Sequence, residues 1–147
     1  MQKNFSLGLF EYEVCIAYSP LSDAENPFSC AEIAKRNFPV VEYIPPNRKL
    51  DPREHALLLT DRFRGARVCI LIPGQKFDAH GNRKGRGGGW YDQFLKNVPR
   101  TWLRIGILNK SQLSPIPLTK NPWDEPMDWL VIKDVTPPYI TFFPIND

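Results

Sequence analysis

The residues best equipped for chemistry lie together in mid-chain. Gly85-Arg86-Gly87-Gly88-Gly89-Trp90-Tyr91-Asp92 sets four glycines within five positions, then two aromatic rings and a carboxylate. Glycines this dense let the backbone take positive φ and approach a ligand closely, so several amide N–H groups can converge on an anion. Arg83, Lys84 and Arg86 add fixed positive charge to the same loop. The aromatics offer flat surfaces for a ring system, and Asp92 can hold a cation. The combination reads as a phosphate-handling site, weighed against a solvent-exposed hairpin whose glycines merely turn the chain. Two common phosphate motifs are excluded. A dinucleotide G-x-G-x-x-G starting at Gly85 needs glycine where Trp90 stands, and no Gly-Lys-Ser or Gly-Lys-Thr occurs in the chain.

A loop of this kind needs a rigid frame. Val68-Cys69-Ile70-Leu71-Ile72 is a continuous apolar run before Pro73-Gly74, as expected of a strand covered on both faces. Val14 to Tyr18 and Pro39 to Ile44 read as two earlier strands, and Leu103 to Leu108, Trp129 to Ile132 and Tyr139 to Phe143 as later ones. Asp51-Pro52-Arg53-Glu54 is a strong helix start, with an N-cap carboxylate, Pro at the first helical position and Glu in the first turn. That helix is expected to run to about Phe63. Ser29 with Glu32 suggests a capping box opening a short helix through Arg36, and Trp90 to Asn97 a third helix. Strands separated by helices imply an α/β fold. The expectation is one domain over residues 1–147, a mostly parallel sheet flanked by helices, with the glycine-rich loop after a central strand. In such sheets ligands bind beyond the carboxyl ends of the strands.

At 147 residues the chain is long enough for one real core. An apolar fraction of 42% excludes a disordered polymer, and a net charge of +3 is too small to argue for nucleic acid. Fifteen prolines, clustered around Pro45-Pro46, Pro115 to Pro126 and Pro137-Pro138, predict long irregular connections. Cys15, Cys30 and Cys69 show no C-x-x-C spacing, and Cys15 and Cys69 sit in apolar runs as reduced thiols. With no long apolar segment, no membrane partner is expected, and a reducing cytoplasm is the expected compartment.

The full pattern is more specific than its composition. Ile72-Pro73-Gly74, then Phe77-Asp78, then Gly81-Asn82-Arg83-Lys84-Gly85-Arg86-Gly87-Gly88-Gly89-Trp90-Tyr91-Asp92 resembles the signature of the 5-formyltetrahydrofolate cyclo-ligase (methenyltetrahydrofolate synthetase) family. Order and spacing agree throughout, with Trp90 in place of a family tyrosine. Ile105-Gly106-Ile107 resembles the family's next strand, and Pro117 through Asp124 and Asp128 its Pro-rich segment. The resemblance is strong from Val68 to Ile132 and weaker before it.

The resemblance implies an enzyme that uses ATP and Mg²⁺ to close 5-formyltetrahydrofolate into 5,10-methenyltetrahydrofolate, releasing ADP and phosphate. It implies that Arg83, Gly85, Arg86, Gly87, Gly88, Gly89, Trp90 and Tyr91 bind ATP, with Arg86 and Tyr91 catalytic. Glu25, Arg86 and Trp90 would contact the folate, and Asp92 and Asp124 would hold Mg²⁺. For these two aspartates the competing readings are a first-turn helix carboxylate and a turn residue before Pro126. For Glu25 the competing reading is a solvated loop residue. The implied partners are the folate and ATP, with a homodimer left open.

The resemblance also implies an N-terminal helix with a Lys-x-x-x-Arg pattern. Before Val14 this sequence has only Lys3 as a basic residue, so the chain resembles a short member without that pattern; Arg48, Lys49, Arg53 or a second subunit could substitute for its charge. A non-catalytic relative that binds a nucleotide, folate or other anion is the alternative. A basic, aromatic nucleic-acid module ranks below both. His80 has no partnered carboxylate or second nearby His that would make a metal site or triad, and His55, in an amphipathic helix, is expected at the surface or the boundary. Trp102, Trp123 and Trp129 are expected to pack rather than stack on bases, Asp128 to open a strand, and Arg62, Arg64 and Arg67 to form a solvated helix end.

Overall fold

The computed structural model describes residues 12–18, 40–44, 51–84, 89–122, 124–137 and 139–145. The expected helix at 29–36, Glu25, Trp123 and loop positions 85–88 lie outside them. The described strands are β1 (Val14–Tyr18), β2 (Val40–Ile44), β3 (Val68–Pro73), β4 (Lys76–Phe77), β5 (Arg83–Lys84), β6 (Leu103–Asn109), β7 (Trp129–Lys133) and β8 (Ile140–Pro144). The described α-helices are α1 (Pro52–Arg62) and α2 (Trp90–Lys96).

Six strands form one sheet in the order β2-β1-β3-β6-β7-β8. All neighbours run parallel except β7 and β8, which pair antiparallel. Every residue of β3 is buried, as a continuous apolar run requires in the middle of a parallel sheet. The outer member β8 is antiparallel and only partly buried. The fold class and the strand positions agree with the expectation to within a residue or two.

Alternation along the strands divides the sheet into two faces. Val14, Ile16, Val68, Ile70, Ile72, Leu108, Leu130 and Ile132 share a core with Ala56 and Leu59 of α1 and with Tyr91, Phe94 and Leu95 of α2. Both described helices therefore cover this one face. Cys15, Ala17, Cys69, Leu71, Ile105, Ile107 and Val131 form the buried second face.

Local chemistry starts α1. Asp51 caps α1 by accepting the Arg53 amide at 2.8 Å, and Pro52, Glu54 and Arg62 occupy the ends their charges and ring favour. Of the apolar quartet at 56–59, only Ala56 and Leu59, three residues apart, reach the core; Leu57 and Leu58 are 62% and 68% exposed, because one short helix turn presents a single stripe to the sheet. In α2, Tyr91, Phe94 and Leu95 are buried, the i, i+3, i+4 stripe of a helix lying on a core.

The sequence reading did not separate out one element. Between β3 and α2 the chain makes a small antiparallel hairpin, β4 with β5. It lays Phe77, fully buried, over Gly106 of β6. A Cβ at Gly106 would stand 2.5 Å from the Phe77 ring and 3.0 Å from Leu130. Only glycine lets the hairpin close onto the sheet.

Candidate functional site

The hairpin is built around a buried carboxylate. Asp78 is 1% exposed, and Oδ1 accepts the amides of His80 (2.9 Å) and Asn82 (3.0 Å). Oδ2 accepts the Asn82 side-chain amide at 2.9 Å and the Leu118 amide at 2.7 Å. Burial by itself would raise the Asp78 pKa, but these donated hydrogen bonds, Leu118 foremost, outweigh it and hold the carboxyl below its usual range. Asp78 thus ties the hairpin turn to the Pro-rich loop. Gln112, in the short 3₁₀ turn after β6, makes a second tie: its Nε2 donates to the carbonyls of Gly74 (2.9 Å) and Gln75 (3.2 Å).

These ties set the flanks of the glycine loop. Arg83 precedes it on β5, and Gly89 ends it as the N-cap of α2, with φ of +67°. The Arg83 guanidinium carbon lies 4.7 Å from the centroid of the Tyr91 ring, a cation–π arrangement that holds the charge beside the first turn of α2. Trp90 is partly buried between the helices. Its ring is parallel to Phe94 (5.6 Å, 9°), edge-on to Tyr91 (5.4 Å) and 6.2 Å from His55 of α1. One face of Trp90 is therefore occupied by its own helix, and His55 sits at the boundary, as expected from sequence.

Asp92, in the first turn of α2, is half-buried. Burial raises its pKa above the usual carboxylate range, and the charges of Asp124 and Glu125 push the same way. The Glu125 amide, 3.1 Å from Asp92 Oδ1, and the charge of Arg83 oppose that rise. The structure therefore brings Arg83, Tyr91 and Asp92 together with Asp124, which lies some thirty residues downstream. Asp124 Oδ2 accepts the Asn121 amide at 2.8 Å and closes a turn in its own loop. Asp128 opens β7 as expected. Its carboxylate accepts the Arg104 amide at 2.9 Å and meets Arg100 at 3.1 Å.

Among the described residues no group of three or more His, Cys, Asp and Glu side chains is arranged to hold a metal ion. A pair is a different matter. Mg²⁺ commonly takes one or two carboxylates and completes its shell with water and phosphate oxygens. Burial is the main cause of the raised Asp92 pKa, and the charges of Asp124 and Glu125 add to it; a divalent cation relieves such repulsion, and Asp92 and Asp124 are the pair that could hold one.

Two residues of this region escaped the sequence reading. Arg104 is 1% exposed within β6, and its Nη1 meets Glu125 Oε1 at 2.7 Å. A lone arginine inside an otherwise apolar strand was the available signal. Glu125 has no local signal, since its partner comes from another element.

Three similarities bear on this arrangement. The model of a family described as the 5-formyltetrahydrofolate cyclo-ligase family matches residues 50–133. A 5-formyltetrahydrofolate cyclo-ligase of Mycoplasma genitalium is 33% identical over 63 residues, which cover 43% of this chain and 37% of that protein. The match thus spans little more than a third of the length of that curated relative. The solved structure of a 5,10-methenyltetrahydrofolate synthetase from Mycoplasma pneumoniae superposes with a TM-score of 0.55 at 22% identity, covering 88% of this chain and 79% of the other. At that identity the likeness is one of fold.

Proposed function

The chain belongs to the 5-formyltetrahydrofolate cyclo-ligase family, whose model matches more than half of its length, and on that premise we propose that it closes 5-formyltetrahydrofolate into 5,10-methenyltetrahydrofolate at the expense of ATP. The observation that supports the proposal is the Arg83 guanidinium against the Tyr91 ring, with Asp92 bonded to the Glu125 amide and within the field of Arg83 and Asp124. The formyl oxygen takes the γ-phosphoryl group of ATP as the bond to ADP breaks. N10 then bonds to the activated carbon, its proton is released, and the C–O bond breaks as phosphate leaves. Such chemistry asks the protein for positioning and charge compensation.

In this reading Arg83 and Arg86 supply guanidinium donors to the phosphates, and the amides of Gly85, Gly87, Gly88 and Gly89 line their path. Tyr91 backs the Arg83 guanidinium and keeps it aimed. Trp90 walls the joint between nucleotide and pterin, and Glu25 hydrogen-bonds the pterin. Asp92 and Asp124 hold Mg²⁺, which when bound offsets the negative charge of the phosphates. The site serves these ligands without nucleic acid or membrane, in the cytoplasm.

The test is direct. Purified protein is incubated with ATP, Mg²⁺ and 5-formyltetrahydrofolate, and the methenyl product is followed by its absorbance. Product that requires both ATP and Mg²⁺ supports the proposal. ATP binding without product refutes it and favours a non-catalytic binding protein.

A further inference from the structure

One buried arginine ties together the elements that carry the two aspartates. Arg104 is the second residue of β6, and its guanidinium points into the helix-covered side of the sheet. Nη2 donates to the carbonyl oxygen of Leu95 at 2.8 Å, and Nη1 donates to Glu125 Oε1 at 2.7 Å. Leu95 lies three residues after Asp92 on α2, and Glu125 directly follows Asp124. The Glu125 amide in turn donates to Asp92 Oδ1 at 3.1 Å. The result is a closed circuit: β6 to α2, α2 to the Pro-rich loop, and the loop back to β6. A second fastening lies at the loop's end, where the Arg104 amide meets Asp128 Oδ2 at 2.9 Å and the Asp128 amide meets the Arg104 carbonyl at 2.7 Å.

Stability alone is a poor reason for such a residue. The Arg104 side chain is 1% exposed and that of Glu125 22%, and a buried ion pair is often replaced by apolar side chains without loss. Arg104 Nε, moreover, is buried without a hydrogen-bond partner, which is unfavourable. What a planar guanidinium provides is direction, because its donors form a rigid fork. Here one arm holds a helix and the other a loop.

We infer that Arg104 is a positioning residue: by gripping Leu95 of α2 and Glu125 of the loop, it sets the separation of Asp92 and Asp124. This rests on the reading of those aspartates as the cation-holding pair. Arg104 touches neither ion nor substrate. It fixes the two segments from which the carboxylates project, as residues behind metal ligands do elsewhere.

The experiment uses Mn²⁺ as probe, with binding followed by the spin resonance of the free ion in the presence of ATP and without folate. Wild type, Arg104→Met, Arg104→Lys and Asp92→Asn are compared, with thermal melting in metal-free buffer as the measure of fold. Arg104→Met leaves the Glu125 carboxylate and the Leu95 carbonyl without their donor, so it is expected to melt below wild type; well below its melting temperature the folded variant is expected to bind Mn²⁺ about 10- to 100-fold more weakly. The Mg²⁺ concentration for half-maximal turnover should rise by a similar factor, with a smaller change in the folate KM. Arg104→Lys, which can keep one of the two contacts, should recover part of the affinity. Should Arg104→Met fail to fold, Glu125→Ala, on the exposed side of the pair, makes the same comparison.

Unchanged Mn²⁺ affinity in a folded Arg104→Met, or in Glu125→Ala if that stands in, overturns the inference. A wild type that binds no Mn²⁺ overturns it together with the metal pair. A wild type that binds Mn²⁺ in an Asp92- and Arg104-dependent manner but makes no product supports the inference and refutes the proposed reaction alone.

Discussion

Asp92 concentrates the tension of the site in one side chain. Its folded pKa lies above the usual range, chiefly through burial, so the native state holds the proton more tightly than the unfolded chain. By linkage, stability then falls as pH rises from the ordinary carboxylate range through the raised value. Asp92→Asn removes that penalty. The variant is expected to be at least as stable as wild type at neutral pH in metal-free buffer, while metal-dependent turnover drops by about 10²-fold or more. Urea titrations at several pH values and a turnover assay check the two halves. Equal pH dependence in both proteins would refute the burial argument, and unchanged turnover the metal role. Asp78 has the opposite sign. Its pKa is lowered by donated hydrogen bonds despite burial, so its contribution is present above the usual aspartate range and is lost as pH falls through the depressed value.

At the scale of elements, the hairpin β4–β5 depends on Gly106. A methyl group there would meet the fully buried Phe77 ring at 2.5 Å and Leu130 at 3.0 Å. Gly106→Ala is therefore expected to cost about 1–3 kcal/mol, the usual range for overpacking a closed core. Chemical denaturation measures it, and a loss below about 0.5 kcal/mol, ordinary for a surface change, would refute the close fit. The same substitution displaces the hairpin that carries Arg83, so ATP affinity should fall with stability. Combining it with Phe77→Leu, which makes room for the methyl, should restore part of both. The hairpin was hard to read from sequence for a physical reason. Two-residue strands have no periodicity, and Phe77 is held by a residue nearly thirty positions downstream.

For the molecule as a whole, the parallel sheet seals its own thiols. Cys15 and Cys69 lie in register on β1 and β3, both fully buried and free. Burial pushes the Cys69 thiol well above its usual range, and the neighbouring Cys15 adds to the effect. Only the thiolate reacts readily. Iodoacetamide at neutral pH should therefore leave both unlabelled in the folded protein and label both in urea, as read by peptide mass spectrometry. Rapid native labelling of either would mean that the centre of the sheet opens easily.

The sequence alone determined whatever depends on neighbours along the chain. Asp51-Pro52 started α1 because an N-cap and a proline act within one turn. Apolar runs marked β1, β3 and β6 because burial on both faces needs no partner's identity. The glycine loop and its flanking residues carried the family resemblance because close backbone approach demands glycine at fixed spacing. Tertiary structure decided what depends on partners far apart: which helix residues met the sheet, leaving Leu57 and Leu58 outside, and how Phe77 found Gly106. It also decided that Arg104 would join α2 to Glu125 and bring Asp124 into the field of Asp92. A guanidinium's partners are chosen by packing in three dimensions, and nothing in the residues beside Arg104 encodes them.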